Sequence, residues 1–157
     1  MDVELHFKVQ ELNARYVHAI DEDRLEEWPN FFAEHGRYRI TTAENVARGL
    51  PLSLMYATSR AMMRDRINSL RNANVYESQR YRHAVGAALI EPSDGGVVRA
   101  VTNFLVARIM HTGETVLFAT GRYEDRIALA ANARPHFVEK TVILDSRQID
   151  TLLAIPL

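Results

Sequence analysis

Tyr16, Asp21, Asp23 and His83 are the side chains whose types could together move a proton near neutral pH. Imidazole titrates in that range, and a nearby carboxylate can orient it as a general base. The same residues have structural roles open to them. Asp21 and Asp23 can cap helices, Tyr16 can sit in a core, and His83 can act as a hydrogen-bonded strut. Asp23 followed by Glu26 reads as a capping box, a sufficient local role for that acid. On balance His83 reads as a strut, so no residue is assigned to catalysis.

Other chemistries find less support. His6, His18, His35, His83, His111 and His136 are never within five residues of one another, and no H-x-H or H-E-x-x-H pair occurs. A site of two His and a carboxylate would have to assemble in space. The serines lie in no G-x-S-x-G elbow, and the glycines form no nucleotide-binding pattern. With no cysteine, disulfides, thiolate catalysis and iron–sulfur ligation by Cys of this chain are out of reach. No metal-binding or cofactor-binding residue is therefore assigned.

Composition sets the frame. The 157 residues are 47% hydrophobic with a formal net charge of −1, which suits one domain over residues 1–157 and gives no basic footprint for nucleic acid. The acid-containing N-terminal stretch is not a secretory signal, and no apolar run is long enough for a membrane span. The chain is read as cytoplasmic.

The elements that must position these residues follow from periodicity. Leu5, Val9, Leu12, Tyr16 and Ile20 predict an amphipathic helix over 3–20. A short second helix carries Leu25, Trp28 and Phe32 on one face, with Pro29 splitting it. Trp28 is expected to be structural. Gly36 opens the extended stretch RYRITT, and Ser59 caps a helix with Met63, Ile67 and Leu70 facing inward. The period then changes to two. Tyr81, His83, Val85, Ala87 and Leu89 alternate, Ser93 to Gly96 turn, and strands follow over 97–111, 115–129 and 137–145, with a tight turn at Thr112-Gly113. Strands this long must twist and curl. The expected fold is α+β, with helices filling the concavity of one bent antiparallel sheet and an apolar tail from Leu152 to Leu157.

The arginines form a block, with Arg60, Arg64, Arg66, Arg71, Arg80 and Arg82 interleaved with Tyr76 and Tyr81. Such a run is commonly a solvated face, but Arg and Tyr are also enriched at protein interfaces where Lys is depleted. Lys8 and Lys140 are the only lysines against seventeen arginines. Arg64, Tyr81 and Arg82 are taken as candidate subunit contacts.

Read in order, YVHAIDEDRLEEWPNFF, FAEHGRYRI, MMRDRI with LRNANVYE, RYRHAVG, RIMHTGET with LFATGRYEDR, and DTLLAIPL span nearly the whole chain. Together they resemble the small (β) subunits of aromatic-ring-hydroxylating dioxygenases, the Rieske non-haem iron oxygenases. ENVARGLPL and RIMHTGET resemble most the subunits that serve aromatic carboxylates such as terephthalate, salicylate or anthranilate. The resemblance implies a cystatin-like, NTF2-like cone that trimerises and joins catalytic α subunits in an α3β3 hexamer. It implies that the α subunit holds a [2Fe–2S] Rieske cluster and Fe(II), fed from NAD(P)H through a reductase, while this chain supplies structure. The same fold hosts small enzymes, and His83-Ala84-Val85-Gly86 resembles the H-x-x-G strand of its dehydratases. The alternative is therefore a free-standing dehydratase, isomerase or cyclase using His83 and Asp23, or a cone that binds a ligand without chemistry.

Overall fold

In a computed structural model the chain is described over residues 1–72, 77–92, 95–148 and 153–157. The positions of Tyr76, Ser93, Asp94 and Leu152 in the reading above lie outside the described residues.

Helix α1 runs Val3–Asp21, capped by the Asp2 carboxylate accepting from the Leu5 amide at 3.0 Å. Its apolar stripe buries Val9, Leu12, Tyr16 and Ile20, and the stripe widens to include Asn13, Val17 and Asp21. The next segment differs from expectation. Leu25–Phe31 is one continuous 3₁₀ stretch with Pro29 inside it, and its cap residue Arg24 makes no side-chain cap bond. The capping box at Asp23 does not form. Asp23 instead adopts φ 59°, and the Arg71 guanidinium takes its carboxylate at 3.0 Å and that of Glu26 at 2.8 Å. Two charge-assisted bonds to one fork outweigh a single bond to a backbone amide. Three residues per turn keep Leu25 and Trp28 on one face, and both are fully buried.

Strand β1 (Phe32–Thr42) begins four residues before Gly36, and a register irregularity between Phe32 and Arg37 absorbs the intervening residues. A short helix α2 (Ala43–Ala47), capped by Thr42, leads to β2 (Met55–Ala57). Helix α3 (Arg60–Asn72) opens where Ser59 Oγ accepts from the Met62 amide at 3.1 Å, and it buries Met63, Ile67 and Leu70.

The remaining strands are β3 (Gln79–Val85), β4 (Leu89–Pro92), β5 (Val97–Met110), β6 (Thr115–Ala128) and β7 (His136–Leu144). Gly86 ends the first extended stretch, so the run from Tyr81 to Leu89 is two strands and not one. The sheet order is β2-β1-β7-β6-β5-β3, with β4 also on β5. All pairs are antiparallel except β1 with β7, which is parallel, so the sheet is mixed where an antiparallel one was expected. A single core lies between the inner face of this sheet and the helices, and the tail residues Leu153, Ile155 and Leu157 are buried within it. Among the described residues no helix is long and apolar enough to cross a membrane.

Gly121 on β6 shows how tightly the sheet is drawn. A Cβ there would lie 2.1 Å from the Ile143 carbonyl oxygen on β7, and backbone cannot retreat as a flexible side chain can. Gly121→Ala is expected to cost about 1–3 kcal/mol through forced displacement of the ladder. Urea unfolding checks it, and wild-type stability would refute the close approach.

Candidate functional site: the interior of the cone

Strand alternation aims His83 inward from β3, and the last turn of α1 brings Asp21 to it. The ring Nδ1 lies 2.6 Å from Asp21 Oδ1 and donates to it, since a carboxylate only accepts. The His83 amide donates to Asp21 Oδ2 at 2.8 Å. Both side chains are sealed from solvent, at 0% and 2% exposure. Of the two acids named with His83, Asp21 reaches it, while Asp23 lies past the end of the helix with its carboxylate largely exposed. Helical spacing explains the difference, because Asn13, Val17 and Asp21 recur every four residues and continue the buried stripe.

Deeper in the cone is an aromatic cage. Tyr16 meets Phe32, Tyr123 and Phe137 edge to face, and Trp28 packs against Tyr38 with centroids 5.0 Å apart. Tyr123 stacks on Phe104 at 4.5 Å, and Phe104 in turn lies beside His83. Trp28 Nε1 donates to the Tyr16 hydroxyl at 3.2 Å. The Tyr16 and Tyr38 hydroxyls both donate to the Leu157 main-chain oxygen, at 2.9 and 3.0 Å, and Tyr38 accepts from the Leu157 N–H. Burial raises all three tyrosine pKa values, which keeps the hydroxyls protonated as donors.

A buried ion pair underlies the cage. Lys140 Nζ contacts the two Asp125 oxygens at 3.0 and 3.2 Å, and neither side chain is exposed. The ammonium also lies 3.7 Å from the Tyr123 ring centroid, 4.1 Å from that of Phe137 and 4.6 Å from that of Tyr16. These negative faces help replace lost water. Burial pushes the Asp125 carboxyl up to about 6 and lowers Lys140, with their mutual attraction offsetting part of each shift.

This centre was only half visible in the sequence. Alternation through Tyr123, Asp125 and Ile127 points Asp125 inward. Counting by two from Phe137, however, puts Lys140 outside. A ladder irregularity opposite Arg126 and Ile127 reverses the parity, so Phe137 and Lys140 both face the core.

The arginine block is dispersed. Arg60 donates to the Phe32 carbonyl, Arg71 joins Asp23 and Glu26, and Arg80 and Arg82 both reach Glu22. These are largely braces between helix and sheet. Arg64 and Arg82 are exposed, whereas the Tyr81 ring is 3% exposed and packs on Phe118 and His83. The structure thus does not bring Arg64, Tyr81 and Arg82 to one surface. Among the described residues no three His, Asp or Glu side chains converge as metal ligands.

Residues 15–151 match the family model described as the ring hydroxylating beta subunit. The chain is 41% identical over 150 residues to the beta 1 subunit of the terminal oxygenase component of terephthalate 1,2-dioxygenase from a Comamonas species, covering 96% of this chain and 97% of that one. It is 35% identical over 156 residues to the anthranilate 1,2-dioxygenase small subunit of Burkholderia cepacia, covering 99% and 96%. Among solved structures, a protein from Novosphingobium aromaticivorans assigned as the beta subunit of an aromatic-ring-hydroxylating dioxygenase superposes with a TM-score of 0.88 at 35% identity. That likeness covers 98% of this chain and 97% of that one. Likeness that runs unbroken from the first helix through the curved sheet is shared architecture and not a shared motif, and it makes this chain a member of the ring-hydroxylating beta subunit family.

Proposed function

We propose that the chain is the structural small subunit of an oxygenase that hydroxylates the ring of an aromatic carboxylate, the chemistry residing in a larger α subunit. The observation that carries this reading is the end-to-end match to small subunits named for terephthalate and anthranilate dioxygenases. In this reading the α subunit holds a Rieske [2Fe–2S] cluster and Fe(II), supplied with electrons from NAD(P)H through a reductase. A Rieske centre needs two Cys and two His ligands, and this chain offers no Cys. Three chains of each kind form the complex, in the cytoplasm, and the small subunits associate through their sheets. Leu105 and Leu117, 49% and 64% exposed on β5 and β6, support a sheet-borne contact.

The His83–Asp21 pair favours the second reading, a free-standing acid–base enzyme. Against that stands the interior, filled by the chain's own Leu153, Ile155 and Leu157. One reconstitution distinguishes the two. Light scattering with an iron assay is expected to find the lone chain iron-free, joining a larger iron-containing complex only when its Cys-containing partner is coexpressed. Arg64→Ala and Arg82→Ala are expected to lower the yield of that complex. The exposed Arg82–Glu22 pair is worth only about 0–1 kcal/mol to the fold, so lost assembly would not reflect unfolding. His83→Asn is expected to retain substantial turnover. A lone oligomer indifferent to the partner would move the chain to the enzyme reading, whereas turnover lost from a well-assembled His83→Asn complex would mean that His83 is more than a strut.

A further inference from the structure

Given the small-subunit reading, we propose that the segment 46–56, with Arg37 and Arg39 beside it, is the surface that receives the α subunit. The stretch of partner it takes carries a carboxylate among apolar side chains. Five of the twelve large hydrophobic side chains exposed among the described residues fall within these eleven positions: Val46, Leu50, Leu52, Leu54 and Tyr56. Scattered apolar side chains are ordinary on a surface, whereas a cluster marks a contact. The cluster is also held in place. Thr41 Oγ1 donates to the Leu52 carbonyl at 2.8 Å, the Leu54 amide donates to the Ile40 carbonyl at 2.8 Å, and Thr42 caps the helix at Asn45. Leucines presented on a pinned backbone are preorganised, so little ordering cost remains on binding.

Val46, Leu52 and Tyr56 line a groove of about 680 Å³ on the outer face of β1 and β7. Arg39 stands opposite Tyr56 on β2 and Thr141 on β7, and Arg37 opposite Glu139, so these side chains share one face. Ile143 continues that face at 1% exposure and gives the groove an apolar floor. Charge selects the occupant. Elsewhere on the sheet Arg99 and Arg122 share Glu124, and Arg80 and Arg82 share Glu22. Arg37 and Arg39 make no ion pair or side-chain hydrogen bond with any described residue. Of the groove's two acids Glu124 is taken, so Glu139 stands alone against two guanidinium groups. An incoming carboxylate gains charge-assisted bonds there. A second copy docked face to face would set four guanidinium groups against one another, so the surface is not self-complementary. Leu50 and Leu54 lie outside the groove lining, so the apolar area exceeds what one small anion would cover. Leu105 and Leu117, on β5 and β6, stay available for contacts between small subunits.

The test compares wild type with two paired variants, Arg37→Glu with Arg39→Glu and Leu52→Ser with Tyr56→Ser. Each is titrated calorimetrically with the purified Cys-containing partner, and the lone chains are sized by light scattering. Leu52 and Tyr56 are more than half exposed, so the second pair keeps the wild-type melting temperature and decides the matter should charge reversal unfold β1. Affinity for the partner is expected to fall about tenfold or more in each pair, with the mass of the lone chain unchanged. Wild-type binding should weaken as salt rises, and the arginine pair should flatten that dependence. Wild-type affinity in either folded pair would overturn the surface. No binding by wild type would overturn the small-subunit reading, and this surface with it. Lost self-association of the lone chain in either pair would give the surface to a second copy. Benzoate binding to wild type that the arginine pair abolishes would make the groove a small-anion site. Either of these last results refutes docking of the α subunit.

Discussion

Lys140→Met is expected to destabilise the chain by about 3–5 kcal/mol, because it strands the fully buried Asp125 carboxylate without its partner. That is a large part of the ~5–15 kcal/mol that holds a domain together. The loss belongs to the broken pair and not to the lysine alone. Asp125→Asn combined with Lys140→Met should recover most of it, since two neutral side chains of similar volume leave no buried charge. Urea unfolding of both singles and the double forms the cycle. A double variant as weak as the singles would mean that volume or ring contacts, rather than charge, set the cost.

The pair also predicts a pH dependence. With its carboxyl raised to about 6, Asp125 binds a proton more tightly in the folded chain than in the unfolded one, where Asp titrates near ~3.9. Its contribution to stability is therefore fully present below about 4 and is lost as pH rises through about 6. Wild type should gain on Asp125→Asn as pH falls from 7 to 4. A gap that moves the other way would place the folded carboxyl below its ordinary range.

Trp28→Ala carries the second large effect, about 3–5 kcal/mol. The indole is fully buried, packs edge to face on Tyr38 and Phe32, and gives its N–H to Tyr16. Removing it opens a cavity and unties the hydroxyl that holds Leu157. At this size the melting temperature should fall on the order of 10 °C. Trp28→Phe keeps an aromatic ring in the cage but loses the N–H and part of the ring volume, so a smaller loss is expected. If the two substitutions cost the same, the ring that Phe retains would contribute nothing to stability. In a reconstituted oxygenase Trp28→Ala should lower the amount of complex, with turnover per assembled complex unchanged.

The sequence by itself determined what local periodicity and composition can carry. The first helix, the Ser59 cap, the long hairpin strands and the change from period 3.6 to period 2 were all legible, because each depends on residues a few positions apart. So was the absence of cysteine, which places any Rieske ligation in another chain. The RYRHAVG and WPNFF segments, read together, pointed to the family. Asp21 was among the acids named with His83, and the stripe from Asn13 through Val17 carries it inward.

Only the tertiary structure decided what depends on register and on distant partners. The parallel pairing of β1 with β7 joins residues about a hundred positions apart, and no local pattern encodes it. Three ladder irregularities shift side-chain parity, and one of them turns Lys140 to the core, where counting by two from Phe137 would put it outside. Arg71 drew Asp23 and Glu26 out of a capping box, because a guanidinium more than forty residues away makes stronger bonds than the nearby amide. Tyr81 shares the inner face of β3 with His83 and packs on Phe118, a neighbour far along the chain. Helix and strand follow from neighbours along the chain, whereas burial, charge pairing and the filling of the cone follow from which surfaces meet when the sheet curls.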